Sequence, residues 1–212
     1  MPKTNYLRDD YEEVLNALTH AIAVGIFLAG SLALSIKTYD IGMAEFSTCL
    51  VYCLCQTFTY ICSSIYHSRV DPLVKRNWRM IDHLSIYLAI SGSWTPVFML
   101  GLSFWPGIIL TALIWGMCGW GMIYKIRNLG KNEILSVILY LVMGWSGVII
   151  FLLSDSVQLG LAFPWVFLGG ILYTVGTFFY YRDFNKYYHT VWHVFTIIAS
   201  ITHYYAIWMF LT

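Results

Sequence analysis

The sequence predicts an all-α integral membrane protein, a seven-transmembrane helix bundle with its N-terminus cytoplasmic and its C-terminus outside. Three observations carry that prediction. Of the 212 residues, 59% are hydrophobic and 11% charged. A soluble domain of this size has no interior large enough to hide so much apolar side chain, so lipid must cover the surface. Apolar runs of about twenty residues recur from end to end, each long enough to cross a bilayer core of ~30 Å. The basic residues gather in alternate connections, which gives the chain a cytoplasmic side.

The apolar runs place helices at roughly 16–36, 46–67, 81–100, 105–124, 134–153, 161–181 and 187–211. Residues 1–15 read as a short cytoplasmic segment and 16–212 as a single seven-helix transmembrane domain. The head "MPKTNYLRDDYEEVLN" is mixed in charge and no small-residue cleavage site follows the first run, so that run reads as a span and not a removable signal. The second helix holds Cys49, Cys53, Cys55 and Cys62 of five cysteines. Their odd total and membrane depth argue against a disulfide framework, and buried Cys serves as a small hydrophobe. Pro96 lies inside the third helix and should kink it unless neighbours compensate. Pro106 and Pro164 fall at the starts of the fourth and sixth, where a missing N–H costs nothing. No internal repeat is visible, which counts against an inverted-repeat transporter. A net charge of +1, with no basic run interleaved with aromatics, gives no sign of a nucleic-acid partner.

Orientation follows from the connections. That after helix two holds Arg69, Lys75, Arg76 and Arg79; that after helix four, Lys125, Arg127 and Lys131; that after helix six, Arg182 and Lys186. The alternate connections, at 37–45, 101–105 and 154–160, hold a single lysine. The basic side is cytoplasmic by the positive-inside rule.

This orientation turns scattered polar residues into a layer near the cytoplasmic face. His67 ends helix two, Asp82 and His83 begin helix three, His189 and His193 begin helix seven, and His20 lies in the first turns of helix one. His203, ten residues beyond His193, lies ~15 Å deeper and reads as a packing or hydrogen-bonded histidine. Aspartate inside a span faces the bundle interior and tends to be functional, although Asp82 could instead pair with Arg79 one turn earlier. The i, i+4 pair His189/His193 lets one helix donate two ligands to one ion, and His67 supplies a third. Three imidazoles with an open fourth position describe a catalytic-type zinc site, though iron, nickel or copper would accept the same nitrogens. Ser63, one turn before His67, could orient that ring or bond a substrate oxygen, or bond back to its own helix. Asn16 and His20, with Glu12 and Glu13 just before them, read as a second shell or a helix-linking network. Asp82 and His83 point ~100° apart, so one of them faces the cluster. The carboxylate is preferred because a metal-bound water needs a base, and this leaves His83 a supporting role.

The stretches "NALTHAIAVG", "SSIYHS", "IDHLSIYLAISGSWTPVF" and "YHTVWHVF" together resemble the hemolysin III family, the bacterial branch of the progestin and adiponectin receptor superfamily. The resemblance spans essentially the whole chain. It implies zinc near the cytoplasmic face on His67, His189 and His193, with Asp82 contacting it through water and Ser63 in the same site. It also implies a multi-pass protein of the bacterial plasma (inner) membrane. The wider grouping includes alkaline ceramidases, so the leading expectation is a zinc-dependent intramembrane hydrolase acting on a lipid amide. In that reading Asp82 is the base, Ser63 the oxyanion donor and a membrane lipid the substrate. The alternatives are a sensor or membrane-homeostasis protein with structural zinc, and the pore-forming cytolysin of the family name. The sequence names no protein partner.

Overall fold

The computed structural model describes residues 10–131, 133–153 and 157–210. Residues 1–9 of the expected segment 1–15, Asn132, the expected connection at 154–156 and residues 211–212 lie outside these residues. The chain forms an all-α bundle: α1 (Asp10–Tyr39), α2 (Met43–Ser68), α3 (Pro72–Gly101), α4 (Phe104–Asn128), α5 (Glu133–Ser146), a one-turn α6 (Ile150–Leu153), α7 (Val157–Tyr181) and α8 (Tyr188–Phe210). A 3-10 turn at Gly147–Ile149 joins α5 to α6, and the three together form one column, so the bundle has seven. Among the described residues, α1, α2, α3, α4 and the Leu159–Tyr181 part of α7 are long and apolar enough to cross a membrane. The α5 segment is too short for that measure. The composition of α8 is diluted by His189, His193, His203 and the hydroxyls of Thr190, Thr196, Ser200 and Thr202.

The stripe pattern is that of a membrane bundle with a polar interior. On α1, Glu12, Asn16, His20, Ala23 and Phe27 are buried, while Val14, Leu18, Ile22 and Ile26 are exposed. Both sets follow helical spacing, so one face meets protein and the opposite face meets lipid.

Three boundaries differ from the sequence reading, and each has a local cause. The α1 helix already runs through Glu12 and Glu13, because acidic residues suit the positive end of the helix dipole. The α3 helix begins at Pro72 and not near 81: Asp71 caps it, Oδ1 accepting from the amides of Leu73 and Val74 at 2.9 Å each, with Pro72 at the first position. Asp82 and His83 therefore sit three turns inside α3 and not at its start. Pro164 falls within α7, which starts seven residues earlier at Val157, while Pro106 does lie in the first turn of α4. The α3 helix remains continuous through Pro96.

Lys125, read as a connection charge, is fully buried in the last turn of α4. Its Nζ lies 2.6 Å from Glu133 Oε2 and 3.2 Å from Ser136 Oγ, and Arg79 Nη2 is 3.6 Å from Glu133 Oε1. This ion cluster ties α3, α4 and α5 together. Above it Gly121 lets α4 close onto the buried Tyr87 ring of α3, where an added methyl would overlap the ring. Gly121→Ala should destabilise by about 1–3 kcal/mol through overpacking, seen as a lower unfolding temperature in detergent. Gly119→Ala, which meets open space, should leave that temperature unchanged or raise it. Equal behaviour of the two variants would contradict the close packing.

Candidate metal centre

His67 sits in the last turn of α2, and His189 and His193 occupy the first turns of α8. The bundle brings these two helix ends together. One nitrogen from each of the three rings lies within 4.8 Å of the others, and all three residues are buried. Ring centroids are 5.0 Å apart for His67–His189, 4.9 Å for His67–His193 and 4.8 Å for His189–His193.

The partners of these rings assign their tautomers. His67 Nδ1 is 2.7 Å from Glu13 Oε2, and a carboxylate accepts, so Nδ1 carries the hydrogen. His193 Nδ1 is 3.1 Å from the Asn16 carbonyl oxygen, again an acceptor, and 3.2 Å from Thr19 Oγ1. In both rings the lone pair is left on Nε2, the form that binds a metal. His189 Nδ1 lies 3.9 Å from Asp183 Oδ2, close enough for the charge to orient the ring. Glu13 is itself held, 3.1 Å from Lys75 Nζ in the first turn of α3. Each histidine thus has an oxygen behind Nδ1, which is how ligand histidines are fixed and made more basic. Three imidazoles placed this way form a donor set able to chelate one metal ion.

The remaining residues singled out in the sequence are all near this centre or its cavity. Asn16 holds His193 through its carbonyl, and its Oδ1 accepts from Thr190 Oγ1 at 2.6 Å. His20 stacks face to face on His193, centroids 3.7 Å apart and planes 8° from parallel, with Nε2 3.4 Å from Thr196 Oγ1. Glu12 is fully buried on the same face of α1. Asp82, His83 and Ser63 line one cavity of about 130 Å³ together with His189 and His193. Both Asp82 and His83 border it, although neighbouring positions on a helix point apart. Ser63 Oγ makes no hydrogen bond among the described residues, whereas Ser64 beside it donates to the Ala17 carbonyl at 3.0 Å. His203 bonds the Val166 carbonyl through Nε2 at 3.1 Å and lines the far part of the same cavity.

Several contributors escaped the sequence reading. Asp183 and Lys75 lay in stretches read as solvated connections, and Thr19 and Thr196 gave no signal among many span hydroxyls. The cavity itself runs from His189 to His203 on α8, fourteen residues or ~21 Å of helix. Ile86, Ile90, Val137 and Leu141 give its α3 and α5 walls an apolar character.

The family model described as "Haemolysin-III related" matches residues 10–204. The chain is 32% identical over 190 residues to "Hemolysin-3 homolog" of Bacillus subtilis (strain 168), covering 89% of each protein. It is 30% identical to "Hemolysin-3" of Bacillus cereus, over 89% of this chain and 87% of that one. It is also 27% identical to the human "Monocyte to macrophage differentiation factor", over 95% of this chain and 85% of that one. No solved structure matches. A match over nearly the whole bundle, with the histidine triad inside it, places this chain in the haemolysin-III-related family.

Proposed function

We propose that the protein is a zinc-dependent intramembrane hydrolase of the lipid amide class, with its centre on the cytoplasmic side of a bacterial plasma membrane. The observation that carries this reading is continuity: His189 and His193 of the triad border a cavity that Asp82 and Ser63 also line and that extends through an apolar shaft. A purely structural metal has no need of such a shaft. The basic connections support the orientation, and the bacterial relatives support the membrane.

His67, His189 and His193 hold the ion. Bound zinc supplies a Lewis acid for a carbonyl oxygen and a water that ionises near neutral pH. Glu13 and the Asn16 carbonyl keep the ligand rings in the binding tautomer. Asp82 takes the proton from the attacking water and later returns one to the leaving amine. Ser63 Oγ, without a hydrogen-bond partner among the described residues, donates to the carbonyl oxygen as negative charge builds there. The shaft receives the acyl chain and excludes water around it.

A second reading, a membrane sensor or homeostasis protein with structural zinc, draws support from the burial of all three ligands and the oxygen behind each ring. The cytolysin reading finds less support. Beyond His203, Val97, Leu159, Ala162, Val166 and Ala206 surround a separate void of only about 10 Å³ with a wholly apolar lining, which does not suit a water-filled pore.

Three measurements test these readings. Protein purified without chelator should carry about one zinc per chain, by the single donor set, and His193→Ala should lose it; a metal-free wild type by elemental analysis would overturn the metal assignment. Asp82→Asn should keep its zinc while fatty acid release from membrane lipids, read by mass spectrometry, falls by roughly 10²-fold or more. An unchanged lipid profile would favour the structural-zinc reading. Glu13→Gln should weaken zinc binding about 10–100-fold in chelator competition, with Glu13→Asp recovering part of the loss.

A further inference from the structure

Two helical turns deeper than the triad, the same cavity meets a second polar layer. On α2 the step is from His67 to Tyr60, on α8 from His193 to Ser200, and on α7 from Tyr180 to Tyr173, seven residues each and ~10 Å along a helix. Tyr60, Tyr173 and Ser200 line the cavity with Gln56 and Ser93. Ser200 Oγ is the hub: Tyr60 OH donates to it at 2.7 Å, Tyr173 OH lies 2.5 Å away, and Oγ reaches Gln56 Oε1 at 3.4 Å. Gln56 Nε2 spends its two hydrogens on the Ala89 carbonyl at 3.2 Å and Ser93 Oγ at 2.8 Å.

The donor and acceptor inventory of this layer is unbalanced. Tyr60, Tyr173 and Ser200 have one hydrogen each, and Gln56 has two; with Tyr173 donating to Ser200 and Ser200 to Gln56 Oε1, all five are committed within the layer or to the Ala89 carbonyl. The acceptor side has room. Gln56 Oε1 takes one long bond and has two lone pairs, and both phenolic oxygens keep lone pairs of their own. A layer with surplus acceptors facing a cavity is complementary to a ligand that brings a hydrogen-bond donor. Between the two layers the α3 and α5 walls are Ile86, Ala89, Ile90, Val137 and Leu141, suited to hydrocarbon.

We propose that this layer is a binding subsite for a hydroxyl group carried on the ligand's hydrocarbon chain, about 10 Å from the head group held at the triad. Gln56 Oε1 and the Tyr173 hydroxyl receive that group, and the subsite selects chains hydroxylated near their middle over plain chains of equal length. The proposal rests on the lipid reading of the cavity, and it adds to that reading the position of a second polar group on the ligand.

The test is equilibrium binding of octadecanoate and of a positional series of monohydroxy octadecanoates to the zinc-loaded protein in nanodiscs. Wild type should bind the best mid-chain hydroxy acid about five- to tenfold more tightly than plain octadecanoate, the worth of one net hydrogen bond. In Tyr173→Phe, which keeps the ring, and in Gln56→Leu, that ratio should fall to about one. Their unfolding temperatures are recorded alongside, and the ratio is read from whichever variant remains folded. Plain acid bound with no preference at any hydroxyl position would overturn the subsite alone, as would variants that keep the preference. Failure of every acid to bind would overturn the lipid reading of the cavity as well.

Discussion

Hydrocarbon offers no hydrogen bonds, so a polar side chain carried into the membrane must find its partners on other helices. In this bundle that requirement organises the interior. The imidazole of His67 on α2 takes its oxygen from Glu13 on α1, and Glu13 takes its cation from Lys75 on α3. His193 on α8 takes the carbonyl of Asn16 on α1. The metal centre is therefore also a knot in which four helices meet, and its geometry cannot be relaxed without separating them. A second knot, of Lys125, Glu133 and Arg79, fixes α3, α4 and α5. The shaft takes its walls from α1, α2, α3, α5, α7 and α8.

This arrangement divides labour between rigidity and access. The apolar cluster around Trp94, Phe98 and Val166 packs α3, α4, α5 and α7 together. Toward the triad, side chains with hydroxyl, amide and imidazole groups replace aliphatic ones, and the space they leave is a cavity instead of a core. Polar groups in contact with one another pack with direction as well as volume, so they can hold an opening that an aliphatic interior would collapse to fill.

The triad was legible in the sequence because three signals coincided: an i, i+4 histidine pair, a third histidine at a helix end, and basic connections that set their common depth. Asn16 and His20 were legible through the same spacing on α1. The start of α3 is not, because Lys75, Arg76 and Arg79 have the composition of a loop, although Asp71-Pro72 is a cap signal in its own right. Lys125 misled in the same way, since a charge suggests solvent until a carboxylate such as Glu133 is found beside it. The layer around Ser200 left no trace, because tyrosine, serine and glutamine recur throughout the spans and the contacts that unite them cross up to 144 residues of chain. Pro164 was placed at a helix start by a rule that is statistical, and the observed α7 extends past it.

The composition of α8 bears on how the bundle is made. Three imidazoles and four serine and threonine hydroxyls give this otherwise apolar helix a polar stripe. Its hydrogen-bonding side chains find partners on α1, α2 and α7, and α7 precedes it by a connection of six residues, 182–187. The two helices therefore pack as a hairpin, and the neighbouring helices shield the polar stripe of α8 from lipid. The polar residues of the last helix are thus the ones that tie its place to three of the others.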